Sequence, residues 1–243
     1  MRGADRPAQR GASVSAARLV HRLPCQRLES TLSAPSSQTE DRSSPAPPDL
    51  TRQASAVQKN FGKALEQRQA QRVLTLDEAR FGLKSWHRRR WCPKGVRPSW
   101  VVADRYEWFW LYAAVEPGTG KSCFWFLPRL DGQCLEIFLH EVRTAFAPQE
   151  QVVVVLDNHR SHTSQQVQWP HQMSSLRLPS YSPELNPVEQ LFKQLRARLA
   201  NQIFENLEAL EHALGEALRP YWEEPAHLRR LTAYPWWLKG LNS

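Results

Sequence analysis

Val152–Leu156 constrains the fold of this chain more than any other stretch. Four valines followed by a leucine make a short, continuous apolar run of mostly β-branched residues, the pattern of a strand buried on both faces. Asp157 ends the run abruptly, and Asn158, His159, Arg160, Ser161 and His162 follow it. A carboxylate at the tip of a buried strand sits where an open α/β sheet usually places its chemistry. The bland alternative is that Asp157 only caps the next turn.

The other elements follow from apolar period and turn signals. Residues 55–71 read as a short polar helix carrying Phe61 and Leu65. Arg72–Leu76 reads as a strand that ends at Asp77-Glu78. Trp100–Ala103, Glu107–Val115 and Ser122–Leu127 read as further strands, with Pro117–Gly120 as the turn between the last two. Asp131–Phe146 reads as a helix, because Leu135, Phe138, Leu139, Val142 and Phe146 recur at helical spacing and Pro148 lies beyond its end. Leu176–Leu178 is another short strand, and Pro179–Pro187 is a turn-rich loop. Asn186 suits the cap of the following helix and Pro187 its first position. In that helix Val188, Leu191, Phe192, Leu195 and Leu199 form an apolar stripe. Glu189 sits at the stripe's edge, one turn before Lys193 and two before Arg196. Leu207–Tyr221 repeats the helical pattern, whereas Trp236-Trp237 in the tail receives no role from the sequence. These signals predict one α/β domain over residues 55–243.

Residues 1–54 differ in kind. They contain no Phe, Trp or Tyr and are dominated by Arg, Ser, Ala and Pro. Such a segment cannot bury enough apolar surface to offset an ordering entropy of roughly 1–2 kcal/mol per residue. The expectation is a disordered arm. Asp5, Glu29, Glu40 and Asp41 count against the rival reading as an organellar transit peptide.

Charge narrows the partners. Lys and Arg total 32 against 24 Asp and Glu, a formal net charge of +8. The pI of about 9.6 lies in the range of nucleic-acid binders. Arg80–Arg97 concentrates this charge: Arg80, Lys84, Arg88, Arg89, Arg90, Lys94 and Arg97 occur there with no acid, and Trp86 and Trp91 are interleaved. Basic residues mixed with aromatics serve phosphate contact and base stacking, or else form a solvated hairpin. None of the four cysteines forms a Cys-x-x-Cys pair, so neither a zinc site nor a disulfide framework is indicated. The longest apolar run, Trp108–Val115, is too short to span a bilayer. A reduced, cytoplasmic setting fits.

Three acids stand in promising places: Asp77 and Asp157 at strand ends, and Glu189 at the start of a helix after a long loop. If the two strands are neighbours, both aspartates emerge at one end of the sheet and the helix can bring Glu189 over them. At about 4 Å and an effective dielectric near 20, each such pair repels by roughly 4 kcal/mol. Divalent ions reverse that sign, and carboxylate oxygens suit Mg²⁺ or Mn²⁺. Two ions roughly 3.5–4 Å apart can activate a water and stabilise the leaving oxygen of a phosphodiester. His159 and His162 lack the further ligands that a zinc set needs. There is no Walker loop for nucleotide hydrolysis and no Gly-x-Ser-x-Gly elbow.

Several motifs resemble a known family. Leu76-Asp77-Glu78-Ala79-Arg80-Phe81-Gly82-Leu83, with Trp91-Cys92-Pro93-Lys94-Gly95 after it, is similar to the first blocks of bacterial insertion-sequence transposases related to the mariner group. Leu156-Asp157-Asn158, with His162 five residues after the aspartate, resembles the second block. Tyr181-Ser-Pro-Glu-Leu-Asn-Pro-Val-Glu189 resembles the third and is the most specific. The likeness runs in order from about residue 57 to about residue 205. It implies an RNase H-like catalytic domain, a mixed sheet flanked by helices, whose Asp-Asp-Glu triad is Asp77, Asp157 and Glu189. It also implies two Mg²⁺ or Mn²⁺ ions as cofactors, the cleavage and transfer of double-stranded DNA at element ends and target, and a nucleoid-associated setting. Asn158 and His162 would support the triad or position phosphate. Arg88, Arg89, Arg90, Lys94, Lys193 and Arg196 would meet the DNA backbone, and a homo-oligomer is compatible.

Two departures accompany the likeness. Thirty-one residues separate Asp157 from Glu189, slightly fewer than in many mariner-type relatives. Residues 1–54 also lack the apolar periodicity of the helix-turn-helix modules that usually precede the catalytic domain. A truncated, non-catalytic nucleic-acid-binding remnant is therefore the rival expectation.

Overall fold

The computed structural model describes residues 50–86, 94–95, 103–159, 162, 167–180 and 182–242. In chain order these form α1 (Leu50–Glu66), β1 (Arg72–Gly82), β2 (Trp108–Glu116), β3 (Lys121–Leu127), α2 (Gly132–Thr144), β4 (Val152–Leu156) and β5 (Met173–Arg177). A single 3-10 turn, Pro183–Leu185, leads into α3 (Val188–Leu199), and α4 (Leu207–Glu223), α5 (Pro225–Thr232) and α6 (Pro235–Leu241) close the chain. Helix α1 begins at Leu50, inside the segment expected to be a disordered arm, and residues 1–49 lie outside the described ones. The expected strand Trp100–Ala103 falls mostly on residues that are not described, and Ala103 is not in a strand.

The five strands form one mixed sheet in the order β3-β2-β1-β4-β5. β2 pairs antiparallel with both β1 and β3, whereas β4 pairs parallel with both β1 and β5. β4 lies between two parallel partners with every residue buried, as its run of valines requires.

Side-chain alternation then sorts the residues onto two covered faces. One face carries Leu74, Leu76, Tyr112, Ala114, Val152 and Val154, packed against Leu135, Phe138 and Leu139 of α2. Asp131 starts that helix by accepting the Cys134 N–H at 2.8 Å. The other face carries Ala79, Phe81, Leu111 and Ala113 under α3, α4 and α5. Next to it, Val73, Val153 and Val155 pack under Phe61 of α1 and Trp237 of α6. Trp237 is fully buried with its ring centroid 4.8 Å from that of Phe61, so the tail tryptophan left without a role is a core residue. At the turn between β2 and β3, Gly120 has φ +80°, and a Cβ there would lie 1.9 Å from the Pro225 carbonyl oxygen at the start of α5. Among the described residues no helix is long and apolar enough to cross a membrane.

One boundary differs from expectation in a way that bears on chemistry. β1 does not end at Asp77 but continues to Gly82, because β2 pairs with it as far as Gly82↔Trp108. On its other edge the pairing with β4 stops at Thr75↔Val155. Asp77 therefore lies within a strand, two residues past the point where the parallel partner leaves. The sheet opens there into a crevice.

Candidate active site

Asp77, Asp157 and Glu189 all line one open cleft of about 530 Å³ at the carboxyl ends of β1 and β4. The β1–β4 register fixes an offset of 80 residues, from Arg72↔Val152 to Thr75↔Val155, and Asp157 follows Asp77 by the same offset. Both aspartates are thus in phase on the face shared with α3. That helix carries Glu189 in its first turn, with its apolar stripe of Val188, Leu191, Phe192, Leu195 and Leu199 buried beneath it.

Asn186 joins the helix to the strand. It is 2% exposed, and its Nδ2 donates to Leu76 O at 3.1 Å and to Asp77 Oδ2 at 3.2 Å. Its Oδ1 accepts from the Val188 N–H at 3.2 Å and from the Thr75 hydroxyl. The two donors on one side and two acceptors on the other define which way the amide points. The expected cap residue therefore also sets the approach of Glu189 to Asp77. Pro187, expected at the first helical position, immediately precedes α3 with helical φ and ψ of −60° and −27°.

Asp77 accepts the Glu78 N–H at 2.8 Å on Oδ1. Burial, and then the charges of Glu78, Glu189 and Asp157, push its carboxyl well above the usual range, against a smaller downward pull from that N–H. Glu189 has its counter-charge on its own helix, with Arg196 Nη1 4.0 Å from Oε2.

Asp157 is held differently. Its Oδ1 accepts the His159 N–H at 2.9 Å, so the turn-capping role weighed for it is real. The same oxygen lies 2.8 Å from His162 Nδ1. Burial alone would raise this carboxyl, but the bonds from His162 and His159 bring it below its ordinary value. His162 is pushed down by burial and up, more strongly in sum, by Asp157 and Glu78, to about 10. Its Nε2 meets Glu78 Oε2 at 2.9 Å and Oε1 at 3.0 Å, with side-chain exposures of 1% for His162 and 3% for Glu78. Asn158 donates to Leu178 O at 2.8 Å, which ties the segment after β4 to the segment after β5. Arg177 adds a second tie through Nη1 to Asp157 O at 3.1 Å and Nη2 to His162 O.

Glu78, Arg177 and Thr75 were not singled out in the sequence. For Glu78 a signal existed: strand alternation turns it away from Asp77 toward the α2 face, where a buried acid needs a partner. The expected DNA contacts are divided. Arg88, Arg89 and Arg90 lie outside the described residues, Lys94 is an exposed turn residue, and Lys193 is exposed on α3. Arg196 instead packs on the protein, its guanidinium 5.1 Å from the Trp86 ring and 5.9 Å from that of Phe192.

The cleft offers hard oxygen donors, and Asp77 carries the electrostatic cost of its acidic neighbours, which a cation would relieve. Among the described residues no three His, Cys, Asp or Glu side chains are drawn together closely enough to form a finished metal cage. The donor type fits Mg²⁺ or Mn²⁺, and the three carboxylates share the cleft without converging on one point.

The family model for the DDE superfamily endonuclease matches residues 72–211. The Uncharacterized protein y4pE/y4sA of Sinorhizobium fredii (strain NBRC 101917 / NGR234) is 31% identical over 100 residues, which span 41% of this chain and 74% of that protein. Among solved structures, a pre-cleavage Mos1 transpososome aligns with a TM-score of 0.54 at 16% identity over 85% of this chain and 66% of that one. The Mos1 mariner paired end complex with Mn aligns with a TM-score of 0.53 at 18% identity, over 81% of this chain and 64% of that one. Against these transposase structures the chain spans about two thirds of the partner's length, and the likeness is one of fold, with the mixed sheet of the RNase H-like catalytic domain. The family match runs from the first residue of β1 into α4 and takes in all three acids, so the chain belongs to the DDE superfamily of endonucleases.

Proposed function

We propose that this chain is a metal-dependent transposase, which cleaves DNA strands at the ends of a mobile element and joins them to target DNA. The observation that carries the reading is that Asp77, Asp157 and Glu189 line a single cleft, carried by two parallel strands in phase and one helix docked over them. Asp77, Asp157 and Glu189 would hold the ions, two being the number suited to this chemistry. Bound Mg²⁺ or Mn²⁺ supplies Lewis-acid activation of the attacking hydroxyl and stabilises charge on the leaving oxygen. The chain's own part is positional. Asn186 orients Asp77 and the start of α3, Arg196 balances Glu189, and Asn158 and Arg177 pin the segment that carries Asp157. Lys193, Lys94 and the run Arg88–Arg90 would meet the phosphate backbone, which is where most of the affinity for duplex DNA arises. Residues 55–243 would act as one catalytic unit, extended at its front by the part of α1 that starts at Leu50.

Asp157→Asn tests the reading, since it keeps the side-chain shape and removes the charge. The expected result is that wild type nicks supercoiled DNA with Mg²⁺ or Mn²⁺, that the variant does not, and that metal raises the melting temperature of wild type alone. Equal nicking by both would return Asp157 to the role of a turn cap. Retained DNA binding with no nicking by either protein would favour the non-catalytic remnant.

A further inference from the structure

We infer that Glu78 is a positioning residue for the metal site, acting on Asp157 through His162. The inference rests on the metal-binding role proposed for Asp157. Glu78 does not line the cleft. It lies one residue beyond Asp77 on β1, and strand alternation turns it to the opposite face, beside Tyr112 across the β1–β2 pairing. From there it reaches His162 with both carboxylate oxygens, at 2.9 and 3.0 Å from Nε2. His162 spends its other nitrogen on Asp157 Oδ1 at 2.8 Å. One imidazole thus bridges a carboxylate buried on the α2 face and a carboxylate that is half exposed in the cleft, 3% against 51%.

Desolvating a buried carboxylate offsets part of its attraction to a partner, so ion pairing alone does not account for the arrangement. What it supplies is direction. Among the described residues, both side-chain bonds of Asp157, from His162 and from the His159 N–H, fall on Oδ1, which leaves Oδ2 as the oxygen to turn toward an ion. The imidazole ring can rotate about its stem unless its far nitrogen is also held, and Glu78 holds it. The backbone of Asp157 and of His162 is held as well, since Arg177 donates to both of their carbonyls. Partners one step removed from a metal ligand commonly change metal affinity by about 10–100-fold when removed.

The test is calorimetric titration of the full chain with Mn²⁺ alone, for wild type, E78L, E78Q, H162Q and E78L/H162Q, each with a thermal melt. E78L is expected to weaken Mn²⁺ binding by about 10–100-fold. E78Q is expected to keep most of the affinity, because its amide can donate to Nε2 while Nδ1–H still donates to Asp157. H162Q should weaken binding as E78L does, and the double variant should be no weaker than the worse single one, because both act through one chain of contacts. H162Q decides the matter where E78L melts too early to titrate. Wild-type affinity in a folded E78L or in H162Q, or losses that add in the double variant, would overturn the inference alone. A wild type that takes up no Mn²⁺ would overturn the metal reading and this inference with it.

Discussion

Asn186→Asp is the substitution whose outcome the site geometry dictates most closely. It preserves shape and exchanges an NH₂ donor for an acceptor oxygen. In the native protein that donor lies 3.1 Å from Leu76 O and 3.2 Å from Asp77 Oδ2, at a residue 2% exposed. The exchange removes two hydrogen bonds and sets an oxygen against two others. With both carboxylates ionised, repulsion at that separation and an effective dielectric near 20 is about 5 kcal/mol. Close carboxylate pairs escape the full cost by sharing one proton, which restores one bond. We expect N186D to lose about 3–5 kcal/mol at pH 8, by urea unfolding in EDTA. The folded variant then binds a proton that the unfolded chain lacks, so its stability must fall as pH rises, by up to about 1.4 kcal/mol per pH unit. Asp77 already gives wild type some slope of that sign, because its carboxyl is raised in the folded state. The readout is therefore the difference between N186D and wild type, with N186A as the control that loses the bonds without adding charge. A pH-independent difference, or wild-type stability at pH 8, would refute the placement of this amide between Leu76 and Asp77.

Two further outcomes follow from the packing and the electrostatics. Trp237→Ala should cost about 3–5 kcal/mol in denaturant unfolding, because a fully buried indole against Phe61 leaves a cavity between α1 and α6; a loss under about 1 kcal/mol would show that α6 is not part of the cooperative core. His162, raised from 6.5 to about 10, contributes stability that is complete below its ordinary value and lost as pH rises through about 10. The stability difference between wild type and H162Q in EDTA should therefore shrink by on the order of 2–4 kcal/mol between pH 6 and 11, and a constant difference would contradict the bridge to Glu78 and Asp157.

Much of the fold was legible in the chain because its signals are local. The valines of β4, the helical stripe of α3 and the turn before β3 each declare themselves within a few residues, through period and turn chemistry. The placement of Asp157 at a strand tip and of Glu189 in a first helical turn is of the same local kind. Asp77 was found by its motif but misplaced as a strand end, since the length of β1 depends on how far β2 pairs with it across a connection of 25 residues. The in-phase offset of Asp77 and Asp157, the docking of Asn186 and the reach of Glu78 to His162 were decided only by tertiary structure. Each depends on register or on contact between residues about 80 to 110 apart in the chain. Hydrophobic period selects the face on which a residue lies, but says nothing about which distant partner meets it there. That choice belongs to the packed sheet, where a buried carboxylate or amide must find its hydrogen bonds wherever the fold brings donors and acceptors within reach.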